Sequence, residues 1–312
     1  MSITGKTLEP ELNTPIAVAS MTGPRREQRE KRESEDSTER VNRLEVVVRY
    51  ALYIVITLFL FVPFVMTVLS SFKTSAEVIA FPPTILPSVW HPENYLNVLT
   101  QISGFPRMVF NSFFVTLMVV ALNLFFDSLV GYAFARLEFP FKNTLFAVMI
   151  ATMVIPGFVF IVPRYILLLN AHIVDTYFAF AVLYFLQPAY ILLMTQFFKS
   201  IPRDLEEAAI VDGLGWFGIF WKIILPLARP ALLATGILTF AGMWNNFLDW
   251  IIYMQSPTMQ NIQLGLVSFR GQYQNQWNLI MAGSVLAILP ILIVYVAGQR
   301  YFVRGIATTG MK

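Results

Sequence analysis

The chain has 312 residues, 56% of them hydrophobic and only 13% charged, with a formal net charge of +3 and no cysteine. Soluble domains run nearer ~45–50% apolar and ~25% charged, so a mean hydropathy of +0.63 argues against an ordinary soluble protein. The missing cysteines exclude a disulfide framework, a thiol nucleophile and a thiolate metal site, and a charge this small gives nucleic-acid binding little support.

Residues 1–45 differ from the rest. They lack the apolar run of a cleavable signal peptide. From Arg25 to Arg40 six basic and six acidic residues interleave, enough for a frayed helix but with little to bury. This segment reads as a polar, disordered cytoplasmic extension, with a regulatory contact as the other reading. Residues 46–312 read as a transmembrane domain.

Within that domain six segments are long enough to cross ~30 Å of hydrocarbon, which takes about 20 residues. They run from Tyr50 to Ser70, Phe113 to Phe134, Leu145 to Val162, Tyr177 to Phe198, Leu227 to Trp250 and Leu279 to Gly298. The expectation is an all-α polytopic membrane protein with six transmembrane helices. The third holds Pro156 and Gly157, the fourth Pro188 and the sixth Pro290. Each breaker marks either a cavity-lining kink or an ordinary packing kink.

Basic residues set the orientation. With the N-terminus cytoplasmic, the inner segments hold 18 of the 22 Lys and Arg residues. Leaving out the N-terminal tail, the inner loops still lead by 9 to 4. Both chain ends and the loop at 200–230 are therefore expected to face the cytoplasm.

That loop carries the most specific pattern in the chain. Ser200 is a candidate N-cap with Pro202 near the first helical position. Asp204, Glu206 and Glu207 occupy the first turns, where the helix dipole favours negative charge. Ala208 and Ala209 give a low-profile surface, and Gly213 permits a left-handed helix end. A second amphipathic stretch holds Trp216, Phe217, Phe220 and Ile224, and Pro226 and Pro230 lead into the fifth span. The expectation is a helix–turn–helix elbow that serves as a docking surface for a separate protein.

No HExxH, GxSxG or phosphate-cradling GxxxxGK[ST] occurs, and His91 and His172 lie far apart. The residues show no catalytic constellation and no metal site. If transport is powered, the engine is another polypeptide.

The elbow resembles the EAA loop of binding-protein-dependent ABC importer permeases: EAA, Gly after three residues, then I-x-L-P after nine more. Glu207, Ala208, Ala209, Gly213, Ile223, Leu225 and Pro226 fill that pattern, with Asp212 before the glycine. At residue frequencies near ~7%, seven matches arise by chance about once in 10⁸ start positions. The resemblance runs from about Val46 to the last residue. Ser71-Phe72-Lys73, Tyr132 to Leu137, Asp175-Thr176 and Trp244-Asn245-Asn246-Phe247 are similar to the carbohydrate-uptake type. The tail from Gln299 to Gly305 is similar to the smaller, MalG-like subunit. Two departures bear on the sugar: Asn246 stands where the family often has a carboxylate, and Asp249-Trp250 replaces a usual Trp-Pro.

What the resemblance implies is a type I ABC importer permease fold and a sugar-import function, with an oligosaccharide as cargo. The implied partners are a MalF-like second permease, two copies of a cytoplasmic ABC ATPase that hold the ATP and Mg, an extracytoplasmic solute-binding protein and the bilayer of the bacterial inner membrane. The chain itself would hold no cofactor. Residues 200–230 would couple to the ATPase through Glu207, Ala208, Ala209, Asp212, Gly213, Ile223, Leu225 and Pro226. The tail 299–312 would contact it through Gln299, Arg300, Arg304 and Gly305.

Polar residues inside spans are costly, about 2.5–3.5 kcal/mol for a central Asp, so Asn123 and Asp127 ask for partners. Trp244, Asn245, Asn246, Gln187 and Tyr190 are the substrate-path candidates, since neutral amides and aromatic faces suit a sugar. The competing reading is that such residues join helices by hydrogen bonds. Three other functions stay open. They are an importer of glycerol phosphate, a polyol or a polyamine; an ion-driven secondary transporter, thinly supported by Asp127; and an intramembrane enzyme.

Overall fold

A computed structural model describes residues 24–101, 103–272 and 276–307, with side chains placed for 45–101, 103–267 and 276–299. All described elements are helical. The chain divides into two compact units, residues 1–63 and 64–312.

The first unit is the body of α1 (Pro24–Ser70). This helix begins well before the expected span, so the charged stretch and the apolar stretch are one helix. From residue 45 to residue 65 every side chain is exposed. An apolar surface of that length belongs in lipid or against another subunit. Residues 1–23 lie outside the described residues.

The second unit opens with the last turns of α1, then α2 (Ser75–Val78) and α3 (Glu93–Gln101). Buried Asn94 ties this region together. Its amide donates to the Ser71 and Lys73 carbonyls at 2.8 and 2.9 Å, and its Oδ1 accepts from Asn278 at 2.8 Å. Next comes α4 (Phe105–Arg136), whose 32 residues reach ~48 Å at 1.5 Å per residue. It is the post around which the others pack.

The third expected span is not one helix. It is α5 (Lys142–Thr152), a 3₁₀ turn at Gly157–Phe160 and α6 (Ile161–Asn170), bent by 96° at the break. Pro156 lacks the N–H that would continue α5, and α5 alone spans only ~16 Å. The fourth is also broken, into α7 (Tyr177–Tyr184) and α8 (Pro188–Ser200), with a 48° bend. Pro188 starts α8, where its missing N–H costs least. Pro290, by contrast, leaves its helix unbroken.

Beyond α8 lie α9 (Asp204–Val211), α10 (Trp216–Ile219), a π turn at Phe220–Ile224 and α11 (Leu225–Leu227). α9, the turn at Gly213 and the stretch Trp216–Leu227 make the expected helix–turn–helix, and that stretch meets α12 (Arg229–Trp244) at 77°. The fifth expected span holds α12, which stops at Trp244 because the chain unwinds at 245–247 and restarts as α13 (Leu248–Tyr253). After a 3₁₀ turn at Pro257–Met259, α14 (Ile262–Gln272) and α15 (Trp277–Ala307) complete the unit.

By length and composition, α1 from Glu45, α4 and α15 to Gln299 can each cross a membrane, and the count rises to six if each bent pair is one span. Three apolar clusters hold the second unit together. One surrounds Tyr132, Phe198, Phe220 and Ile224; a second surrounds Phe105, Phe240, Trp244 and Ile262; a third surrounds Phe180, Trp250 and Tyr253.

Candidate functional site

Most of the residues singled out in the sequence fall in two regions: the elbow at 200–230 and a pair of cavities beside α12. In the elbow, Ser200 does not cap the acidic helix. It ends α8 instead, its Oγ donating to the Phe197 carbonyl at 2.7 Å, and α9 starts at Asp204. The end of α9 is as expected. Gly213 has φ +82°, and its N–H donates to the Ile210 carbonyl at 2.9 Å, while the Leu214 N–H donates to the Ala209 carbonyl at 2.9 Å. This double closure is a Schellman motif, which requires a left-handed residue at Gly213.

The turn also sorts the EAA residues by face. Ala209 is buried and packs with Leu214, Phe220 and Ile224 in the cluster beneath the elbow. Ile223 and Leu225 pack against the same cluster. Glu207, Ala208, Asp212, Gly213 and Pro226 are exposed. Leu205, Ile210 and Val211 are exposed too, Val211 at 88%. The outer side of α9 thus carries apolar residues beside the exposed carboxylates of Asp204 and Glu207, and the two alanines divide between that face and the core.

The residue before the motif has a partner that sequence reasoning missed. Glu206 Oε1 lies 2.5 Å from Arg136 Nε, both side chains being buried. In the sequence Tyr132 to Leu137 stands out only as a family pattern, and nothing in either stretch points at the other.

The substrate-path candidates do not share one role. Trp244 is fully buried; its Nε1 donates to the Ala287 carbonyl at 2.9 Å, and its ring stacks on Phe240 at 5.7 Å. It belongs to the core and lines neither cavity. Gln187 and Tyr190 line a cavity of about 200 Å³ with Asn123, Thr239 and Asn246. Asn245 and Asn246 line a second, wider cavity of about 450 Å³ with Arg164, Tyr184 and Asp249. Tyr184 and Asn246 touch both, so they form the wall between them.

That wall is a hydrogen-bonded group. The Asp249 carboxylate accepts from the Tyr184 hydroxyl, and from the Asn246 amide at 2.7 Å, while Asn246 Oδ1 accepts the Asp249 N–H at 3.1 Å. Asn246 thereby satisfies a free N–H in the first turn of α13, just past the unwinding at 245–247. The Arg164 guanidinium lies over the Tyr184 ring, 5.8 Å from its centroid. Neutral amides, a phenol and one cation can bind hydroxyl groups along such a lining. Asp249 shows in the sequence only as a departure from the family pattern, and Tyr184 and Arg164 gave no signal.

Of the tail residues, Gln299 is exposed within α15, and the side chains of Arg300 and Arg304 and the surroundings of Gly305 lie outside those described.

Residues 128–308 match the model of the family described as "Binding-protein-dependent transport system inner membrane component". The chain is 32% identical over 262 residues to the arabinooligosaccharides transport system permease protein AraQ of Bacillus subtilis (strain 168), covering 83% of this chain and 93% of that one. It is 30% identical over 262 residues to the diacetylchitobiose uptake system permease protein NgcG of Streptomyces coelicolor, covering 81% and 84%. Among solved structures, a bacterial ABC transporter involved in the import of the acidic polysaccharide alginate superposes with a TM-score of 0.75 at 24% identity, over 84% of this chain and 98% of that one. That likeness establishes the fold. With the family model covering more than half of its length and relatives of 30% identity or more covering most of it, the chain belongs to the ABC transporter permeases, as an inner membrane component of a binding-protein-dependent transport system.

Proposed function

We propose that this chain is one of two permease subunits forming the pathway of an ATP-driven importer for a sugar, an oligosaccharide on the pattern of its relatives' arabinooligosaccharide and diacetylchitobiose. The second permease, two ABC ATPase subunits and an extracytoplasmic solute-binding protein complete the assembly in a bacterial cytoplasmic membrane. Both chain ends and the elbow face the cytoplasm, as the asymmetry of basic residues supports. ATP and Mg reside on the ATPase, and this chain catalyses no reaction of its own.

The observation that carries this reading is the elbow: a short helix closed at Gly213 that turns Glu207, Ala208 and Val211 outward while Ala209 is anchored in the core. An exposed helix face that sets apolar residues beside carboxylates fits a cleft on a partner. Glu207 supplies the charge contact, Ala208 the close approach and Gly213 the turn; Ile223 and Leu225 support the helix from beneath. Asp212 and Pro226 border the same surface, and Gln299, Arg300, Arg304 and Gly305 reach toward the ATPase from the tail. The ATPase can shift the pathway only through contacts that differ between two states, and α9 is where such contacts fall.

The sugar reading rests on the second cavity, where Asn245, Asn246 and Tyr184 offer neutral hydrogen-bonding groups beside Arg164. The test is reconstitution. The chain purified with its co-expressed ATPase and second permease should take up labelled oligosaccharide in vesicles only with ATP and the binding protein present. Uptake without the ATPase would return the chain to the secondary transporters. Ligand-induced stabilisation of the binding protein by a polyamine, but by no sugar, would overturn the substrate class.

A further inference from the structure

The buried pair at the inner end of α4 does more than fill space. Arg136 is the last residue of α4, and Glu206 sits in the first turn of α9. Arg136 Nε lies 2.5 Å from Glu206 Oε1, the side chains being 4% and 6% exposed, and the guanidinium Nη2 donates to the Ile201 carbonyl at 2.5 Å. Ile201 is the residue through which α8 turns into the elbow. One guanidinium therefore holds both ends of the α8–α9 junction against the end of the second span.

The contact continues up α4. One turn earlier, buried Tyr132 joins the cluster that carries Ala209, Phe220 and Ile224. At Gly131 α4 and α8 come so close that a Cβ would lie 2.8 Å from Met194 Cβ and 3.2 Å from the Thr195 nitrogen. Two helices in such contact cannot slide without repacking, because close-packed interiors transmit strain rather than absorb it. A buried ion pair, moreover, is a poor choice for stability alone: apolar residues of similar volume often serve as well or better, and its best-attested use is to fix register.

We propose that Arg136 and Glu206 form the joint that makes the coupling helix and the α4–α8 pair move as one body, so that displacement of α9 by the ATPase becomes displacement of the pathway helices. Both are positioning residues: neither touches nucleotide or cargo, and neither lies on the exposed face of α9. The assignment rests on the importer reading above. It adds that force enters the pathway through a charged contact to the second span, in addition to the covalent connections of α9 to α8 and α12.

The experiment uses the assembled transporter in vesicles and measures three quantities: co-purification of the ATPase, ATP turnover, and solute imported per ATP hydrolysed. Glu206→Gln and Arg136→Gln should keep assembly and turnover while import per ATP falls about tenfold, the scale of ordinary coupling free energies. Either substitution leaves one charge buried without its counterion and can impair folding. The double substitution Arg136→Met with Glu206→Leu removes both charges at similar volume. It should assemble at wild-type yield and still import poorly per ATP. Wild-type import per ATP in the double variant would overturn the joint. So would a parallel loss of assembly, turnover and import in all three variants, which would make the pair a packing element. If no ATPase accompanies the wild-type chain, the importer reading itself has failed, a result distinct from either.

Discussion

Asp127 caps α8 from a neighbouring helix: its Oδ1 accepts the backbone N–H of Gln187 at 2.9 Å, just ahead of Pro188. One turn earlier on α4, the Asn123 amide donates to the Tyr184 carbonyl, the last of α7, at 2.5 Å. The two polar side chains thus satisfy both ends of the break between α7 and α8. A break inside hydrocarbon is tolerable only where neighbours take up the freed backbone groups.

This relationship predicts that Asp127 works as a hydrogen-bond acceptor and not as an ion-coupling carboxylate. Asp127→Asn keeps an acceptor oxygen and should leave ATP-driven uptake near the wild-type rate. Asp127→Ala strips the Gln187 N–H of its partner and should lower the stability of the purified transporter by about 1–3 kcal/mol, the cost of an unsatisfied buried group. Thermal unfolding in detergent measures the second, and an uptake assay the first. Loss of uptake in the well-folded Asn variant would revive the secondary transporter.

Trp244 and Asn246 lie two residues apart in sequence but should respond in opposite ways. Trp244→Phe loses the bond to Ala287 and part of its stacking on Phe240. It should lower thermal stability and leave the uptake KM unchanged. Asn246→Ala opens the wall between the two cavities and deprives Asp249 of a donor. It should raise KM or lower the maximal rate in membranes that contain normal amounts of protein. Uptake kinetics set against expression level separate the two cases.

At Gly213 the backbone and the surface can be tested separately. The residue is left-handed at φ +82°, and a Cβ there would meet nothing within 4 Å, so the constraint is conformational and not steric. Asn tolerates that conformation better than other residues with a Cβ, and Gly213→Asn should keep most of the uptake. Gly213→Asp adds a charge at the docking face and should abolish uptake while the protein still inserts at normal levels. Equal activity of the two variants at equal expression would remove Gly213 from the docking surface.

Much of this was legible in the sequence, and the reasons for the rest are physical. The elbow could be read because Gly213 and Pro226 report on the backbone at their own positions. The turn at Gly213 follows from a local rule, whereas the 77° of the corner before α12 does not. Pro156 and Pro188 mark kinks in the sequence but not their size, since a proline removes a bond but neighbours decide whether the helix re-forms. Pro290 shows the other outcome, inside an unbroken α15. The division of Ala208 from Ala209, the core placement of Trp244 and the partnership of Arg136 with Glu206 are tertiary facts. They depend on which faces meet, and a single sequence does not state that.

The close approach of α4 and α8 gives a last test, free of charge effects. A methyl added at Gly131 would lie 2.8 Å from Met194 Cβ, and also 3.2 Å from the Thr195 nitrogen and 3.3 Å from the Ile191 carbonyl oxygen. Trimming Met194 therefore cannot make room, because two of the three obstacles are backbone atoms. Gly131→Ala must push the helices apart, at a cost of about 1–3 kcal/mol for overpacking. Gly236 on α12 is the control: its Cβ would meet Leu124 side-chain carbons at 3.7 Å and Val120 Cγ1 at 3.9 Å, ordinary contacts. Gly236→Ala should therefore be neutral or stabilising, by up to about 1 kcal/mol from helix propensity. If α4 and α8 must stay in contact to carry motion from the elbow, Gly131→Ala will reduce import per ATP as well as thermal stability, whereas Gly236→Ala will reduce neither. Normal import per ATP in Gly131→Ala, at reduced stability alone, would confine that contact to folding.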